Sequence, residues 1–239
     1  MPRRIKQFAI IAAGEGRRLS EEGVSQPKAL VSLNGEPLLT RLVRIFHSCG
    51  AERIVIIVND LHPQTAQHVR SLMTQPGGER IHLVVQTTPS SMHSFHALSE
   101  HLTDEPFCLT TVDTIFRETD FRAYLDYFAQ SDADGVMGVT DFVDDEKPLY
   151  VATNETLDIT AFLDVATTCK YISGGIYGLT APALKTLQRC MAEGQSRMRN
   201  YQRGLLVDGL RLKAFPFSKI LDVDHASDIP KAEAFLFEK

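Results

Sequence analysis

The chain has 239 residues, 44% hydrophobic and 23% charged. This is the composition of a globular domain, and it excludes a disordered, collagen-like or low-complexity protein. Its 25 basic and 30 acidic side chains leave a net charge of −5, which argues against a general nucleic-acid binder, because a phosphate backbone asks for a basic face. The longest apolar run, Phe8 to Ala13, is far short of the ~20 residues of a membrane span and shorter than the roughly 7–15 of a signal-peptide core. A cytoplasmic protein with no membrane partner is expected.

In chain order, strand-like and helix-like segments alternate. Phe8–Ala13 predicts a buried strand ending at Gly14. Leu38, Leu42, Ile45 and Phe46 have helical spacing, with Gly50 as a C-cap. Arg53–Asn59 predicts a second buried strand, 62–74 a helix closed by Gln75-Pro76-Gly77-Gly78, and Ile81–Gln86 a third strand. A helix over Ser91–Leu102 leads to a fourth strand, Phe107–Val112, that ends at Asp113; a helix over 119–130 and a strand over Gly135–Thr140 follow. Near-continuous apolar strands separated by helices predict an α/β fold with a mainly parallel sheet covered on both faces. After residue 140 the pattern changes. Strand-like pieces at 148–153, 157–162 and 171–179 predict a mixed or antiparallel extension. Helices are expected at 181–193 and 226–237, with a β-like piece at 211–216.

Cys49, Cys108, Cys169 and Cys190 form no Cys-x-x-Cys pair and match no zinc spacing, so reduced, mostly buried thiols are expected. His93 and His96 would share a helix face, but no neighbouring Cys or carboxylate completes a ligand set, and surface or half-buried positions suit them better.

Ligands of open α/β sheets lie beyond the carboxyl ends of the strands. Gly14-Glu15-Gly16-Arg17-Arg18, Gln86 and Asp113 all fall there. The glycine segment is not a dinucleotide fingerprint, because Leu19 stands where the third small residue belongs, and no Gly-Lys-Ser/Thr follows as in a P-loop. Beside a plain strand-to-loop turn, the remaining reading is a loop whose backbone N–H groups wrap a triphosphate. Gly14 and Gly16 permit close approach, Arg17 and Lys28 supply positive charge, and Pro27 stiffens the stem that aims Lys28. Asp113 at a strand end suits Mg²⁺, which takes one or two carboxylates with phosphate oxygens and waters; a helix-start residue is the structural alternative. Asp222 and Asp224 would point to one side of an extended segment and repel each other unless a cation sits between them.

Ala12-Ala13-Gly14-Glu15-Gly16-Arg17-Arg18-Leu19, Pro27-Lys28-Ala29-Leu30-Val31 and Asn34-Gly35-Glu36-Pro37-Leu38-Leu39 occur in this order. Together they resemble the signature of nucleotidyltransferases that make NDP-sugars and CDP-alcohols: the NDP-sugar pyrophosphorylases and choline-phosphate cytidylyltransferases, of MobA-like NTP transferase fold. The resemblance implies a GT-A-like, Rossmann-type fold and a single domain over residues 1–239. Its nucleotide-binding part would span about 1–115 and 217–239, its acceptor-binding part about 116–216; a homo-oligomer is left open. Lys28 and either Arg17 or Arg18 would contact the triphosphate, with Ala12, Ala13, Gly14, Glu15 and Gly16 around the nucleotide. Gln86 would read a pyrimidine edge, with an ordinary loop glutamine as the alternative. Ser94 matches the serine of an N-x-x-S-L segment in the choline-phosphate branch. Asp113, Asp222 and Asp224 would hold the metal, the last two matching a D-x-D-T-P-E-D-L motif in which His225-Ala226 replaces Thr-Pro and Asp228 caps the next helix.

For the acceptor, Lys170 to Tyr177 resembles an N-x-G-x-Y strand, implying contacts from Gly175 and Tyr177. The I-x-x-F-x-E-K-P motif keeps its acid as Asp164 but has Val165 where the acceptor-phosphate lysine belongs, leaving Lys147 or Lys170 to substitute. Both this loss and the serine-rich Pro89–Ser94 segment lean away from a hexose-1-phosphate. The expected function is Mg²⁺-dependent transfer from an NTP, CTP favoured, to a phospho-alcohol, phosphonate or sugar phosphate, with release of pyrophosphate. A catalytically silent NTP- or NDP-sugar-binding regulatory subunit and a GT-A glycosyltransferase are the alternatives. The joint presence of Arg17, Lys28, Asp113, Asp222 and Asp224 opposes the first, and the Pro-Lys-Ala-Leu segment the second.

Overall fold

The computed structural model describes residues 3–144, 146–166 and 168–237. The first half runs β1 (Gln7–Ala12), a short α1 (Arg17–Glu21), a hairpin of β2 (Ser32–Leu33) and β3 (Glu36–Pro37), α2 (Leu38–Ser48), β4 (Arg53–Val58), α3 (Pro63–Met73), β5 (Ile81–Val85), α4 (Ser91–Ser99), β6 (Phe107–Thr111), β7 (Thr114–Ile115) and α5 (Glu118–Gln130). The second half runs β8 (Gly135–Thr140), β9 (Tyr150–Thr153), β10 (Ile159–Leu163), β11 (Tyr171–Leu179), α6 (Pro182–Ala192), α7 (Met198–Val207), β12 (Leu212–Pro216), β13 (Leu221–Asp222) and α8 (Asp228–Phe237).

One large sheet has the order β10-β9-β11-β6-β1-β4-β5, with β8 beside β11 and β12 beside β8. The β5-β4-β1-β6 core is parallel. β1 is its centre, and every residue of it is buried, which is why it reads as an unbroken apolar run. Alternate residues feed two cores. Phe8 and Ile10 face α2, α3 and α5, where Phe8 stacks on Phe46 at 4.5 Å between ring centroids and Phe116 on Phe121 at 4.8 Å. Ala9 and Ile11 face α4, α6 and α7, around Phe95, Tyr177 and Tyr201.

The mainly parallel α/β sheet matches the expectation from the apolar pattern. The antiparallel character of the second half is also present, but not as an appendage: β11 pairs directly with β6 in the main sheet. Helix α7 was not expected from the sequence. Its apolar positions Met198, Tyr201 and Leu205 are diluted by polar neighbours and by Gly204, normally a helix weakener. That glycine has a packing cause, because a Cβ there would lie 2.8 Å from Cys190 Sγ on α6. The hairpin of β2 and β3 turns on Asn34-Gly35, both at positive φ, a local signal of this turn type.

Two connections place side chains at the carboxyl end of the sheet. The chain leaves β1 directly into the glycine loop. β7 pairs antiparallel with β13, Thr114 opposite Asp222, and Val223 N donates to Asp113 O at 3.1 Å. The C-terminal acids thereby come beside the end of β6.

Candidate active site

The glycine loop is held from behind. Asn59, at the carboxyl end of β4 and 3% exposed, donates through Nδ2 to Ala13 O (3.0 Å) and Gly14 O (3.3 Å), while its Oδ1 accepts from His62 N (3.1 Å). Gly16 adopts φ +65°, and a Cβ there would meet Lys28 Cβ at 3.0 Å, so the loop lies flat on the Pro27-Lys28 stem. Glu22 fastens the following segment to the C-terminal acids: its carboxylate accepts from His225 Nδ1 and Ala226 N, both at 2.6 Å.

In front of the loop is a cavity of about 440 Å³, an ordinary size for a small-ligand site. Gly14 to Arg18, Lys28, Asp113 and Asp224 line one side; Thr88 to Ser91, with Ser94, line another. Lys28 Nζ sits between two carboxylates, touching Asp113 and lying 2.5 Å from Asp224 Oδ1. Burial opposes the Lys28 charge, but Asp113 and Asp224 outweigh it and hold the ammonium above its ordinary pKa. Burial likewise opposes the Asp113 charge, and the Lys28 ammonium with the Thr111 hydroxyl holds this carboxyl below the usual carboxylate range. Arg18 reaches Asp224 Oδ2 at 3.3 Å.

A MobA-like NTP transferase domain matches residues 8–169. The chain belongs to this family. It is 27% identical over 159 residues to a CMP-5'-(3-aminopropyl)phosphonate synthase of Streptomyces rubellomurinus, covering 58% of this chain and 24% of that protein. It is 30% identical over 111 residues to a UTP–glucose-1-phosphate uridylyltransferase of Haloferax volcanii, covering 46% of this chain and 44% of that protein. The chain thus spans less than half the length of either curated relative. The structure of the inositol-1-phosphate CTP transferase from T. maritima shares the fold, with a TM-score of 0.82 at 18% identity, over 100% of this chain and 98% of that one.

Within this family fold, the structure gathers Ala13, Gly14, Glu15, Gly16, Arg17, Arg18, Lys28, Ser94, Asp113 and Asp224 around one cavity. Ala12 is buried in β1 beneath it. Asp222 faces elsewhere. It lines a second cavity of about 240 Å³ with Thr140, Phe142, Ser173, Gly174 and Lys231, which shares Arg18 and Asp224 with the first. Asp228, expected as a helix cap, is the first residue of α8 and reaches back to the preceding turn, accepting from Asp224 N (3.2 Å) and His225 N (2.8 Å). His93 and His96 are half-buried on α4, and Cys108 and Cys190 are fully buried.

Other residues named from the motifs lie outside both linings. Gln86 is exposed, its backbone N donating to Val58 O at 2.9 Å. Asp164 is taken by Arg199 (2.5 Å) and Arg203 (2.8 Å) of α7, and the Lys147 carbonyl accepts from Arg199 Nη2 at 3.0 Å. Gly175, at φ +72°, is a packing glycine beside the β6–β7 turn: a Cβ would lie 2.8 Å from Thr114 Oγ1. Tyr177 is 5% exposed under the sheet end, where burial, with the charges of Asp222 and Asp113, pushes its phenol up against a hydrogen bond with Ser173. Asn59, Thr88, Phe142 and Lys231 carry no motif of their own; only Asn59 had a local signal, as a polar residue closing an apolar strand.

Among the described residues no group of three or more His, Cys, Asp and Glu stands ready to hold a metal. The chemistry of the donors still fits a hard divalent ion: carboxylates of Asp113 and Asp224 converge on one point, and the Lys28 ammonium is the cation standing there. No helix among the described residues is long and apolar enough to cross a membrane.

Proposed function

We propose that this chain transfers a nucleotidyl group from an NTP, CTP by preference, to a phosphonate or phosphorylated alcohol, releasing pyrophosphate. The observation that carries the reading is the convergence of the glycine loop, Lys28, Asp113 and Asp224 on one cavity. Loop N–H groups, Arg17, Arg18 and Lys28 bind the triphosphate and meet its negative charge. Asp113 and Asp224 would hold Mg²⁺, which when bound would supply charge neutralisation at the phosphates, while Asp222, facing the adjoining cavity, is not placed to join them. An acceptor oxygen attacks the α-phosphorus in line; its O–P bond forms as the bond to pyrophosphate breaks, with no covalent enzyme intermediate. The second cavity is the acceptor subsite, since it meets the first at Arg18 and Asp224. Its lining combines residues of the part expected to bind the acceptor, about 116–216, with residues of 217–239 from the part expected to bind the nucleotide, about 1–115 and 217–239, so the two parts would meet at this subsite within one domain.

The base lies against the Thr88–Ser91 segment and Ser94, the hydroxyl-rich wall of the cavity. A site shaped around the cytosine amino group leaves polar atoms unpaired when uracil enters, at about 1–3 kcal/mol each. CTP should therefore exceed UTP by roughly tenfold or more in kcat/KM. The test is pyrophosphate release with each of four NTPs at sub-saturating concentration against 3-aminopropylphosphonate, inositol-1-phosphate and glucose-1-phosphate. The resemblance to a UTP-using relative supports a second reading, and preference for UTP with glucose-1-phosphate would establish it in place of the first. No release with any pair would return the chain to a binding, non-catalytic role.

A further inference from the structure

The point between Asp113 and Asp224 already holds a cation, and the chain itself supplies it. Lys28 Nζ contacts both carboxylates, and its side chain is 12% exposed against 18% for Asp113. The backbone at Asp113 is tied to the segment leading to Asp224 by the β7–β13 ladder and the Val223–Asp113 hydrogen bond. The root of Lys28 is fixed as well, with Gly16 packed on its Cβ and Pro27 ahead of it. Beyond that root, the outer methylenes carry the ammonium into the same cavity that the glycine loop lines.

We propose that Lys28 is a built-in place-holder for the divalent cation: ammonium and metal compete for the Asp113–Asp224 pair, and metal binding releases the ammonium to the phosphate side of the cavity. A doubly charged ion placed between these acids would face the ammonium at contact distance in a poorly solvated site, where like charges repel strongly. One of the two must leave. On the glycine-loop side the one carboxylate of the lining, Glu15, is already paired with Arg17, so release of Lys28 is unfavourable until an anion arrives. Metal and phosphate-bearing ligand therefore favour each other's binding by the same factor, as linkage requires. Only the identity of that anion rests on the nucleotidyltransferase reading; the competition is a property of the free protein.

The experiment is Mn²⁺ binding to the full chain without nucleotide, followed by the electron paramagnetic resonance of free Mn²⁺. Lys28→Met should bind Mn²⁺ at least about tenfold more tightly than the parent (~1.4 kcal/mol), and the gain should vanish in Lys28→Met/Asp113→Asn. Equal or weaker binding by Lys28→Met overturns the proposal. Should Lys28→Met fail to fold, the parent protein decides. Acylation of lysine amines, quantified by mass spectrometry against the exposed Lys185, should rise severalfold at Lys28 on saturation with Mn²⁺. Unchanged Lys28 labelling overturns it. A positive result here with no pyrophosphate release from any NTP would leave the competition standing and remove the catalytic reading, so the two fail separately.

Discussion

Asp113 carries two kinds of consequence, because it is both buried and charged. Replacing it with Asn leaves Lys28 with Asp224 alone and removes one oxygen-donor charge from the candidate metal site. Asp113→Asn is expected to lower pyrophosphate release by 100-fold or more, on the order of 2.7 kcal/mol of transition-state stabilisation, with the circular-dichroism spectrum unchanged. Its carboxyl titrates below the ordinary range in the folded protein. The stability it contributes is therefore present above the unfolded carboxylate pKa of ~3.9 and lost as pH falls through the lower folded value. Melting temperatures followed from neutral pH to about pH 2 should fall less steeply for Asp113→Asn than for the parent; identical slopes would mean that Asp113 is not ionised against Lys28. The thiols give an independent check. Cys108 is fully buried and its thiol is pushed well up by burial, and Cys190 is fully buried beside α7. Neither should react with a disulfide reagent at pH 8 until denaturant is added, whereas Cys49, half-buried, should react slowly. Rapid labelling of Cys108 in the native protein would contradict the packing of β6 against α5.

Helix α7 shows how packing overrides local preference. Ala would favour the helix at position 204 by about 1 kcal/mol over Gly in isolation, but its Cβ would meet Cys190 Sγ at 2.8 Å and Arg189 Nη2 at 3.1 Å. Gly204→Ala should therefore destabilise by about 1–3 kcal/mol in urea unfolding, and Cys190→Ala in the same chain should recover part of the loss. A stabilised Gly204→Ala would mean that α6 and α7 are farther apart. α7 is also the element that changed the reading of a motif, since its Arg199 and Arg203 engage Asp164, an acid that the motif alone would assign to an acceptor. The other element with a testable duty is the end of β4. Asn59→Ala removes the side chain that ties down the Ala13 and Gly14 carbonyls, and the fold should survive at a cost of about 1–3 kcal/mol. KM for the NTP is expected to rise by more than kcat falls, because the loop then orders only on binding.

Taken as a unit, the molecule brings its cavity walls from both ends of the chain: the glycine loop from β1, the serine segment ahead of α4, Asp113 after β6 and Asp224 ahead of α8. A ligand spanning them ties the termini of the fold together. CTP with Mg²⁺ at about 100 times its dissociation constant should add roughly 2.7 kcal/mol of stability. That raises the melting temperature by about 5–10 °C for a chain of this length. CTP alone should give a smaller shift, and no shift with both would contradict binding at this cavity.

Much of this was legible in local pattern. Burial on both faces makes parallel strands continuous and apolar, so the alternation of β and α, the carboxyl ends of β1 and β6, the glycine loop, Lys28 and Asp113 could all be read from short windows of sequence. The motif match at the C-terminus also marked Asp222 and Asp224 as a pair. What the windows did not contain was which side chains share a volume. β13 is too short for its two-residue periodicity to continue, so Asp224 turns to the glycine loop and Asp222 to the neighbouring cavity. Gln86 follows the last residue of an edge strand and stays in solvent, while the serines after it reach the cavity. These outcomes depend on contacts between segments far apart in the chain. A side chain's neighbours follow from how complete elements pack, and no periodicity along one element records that.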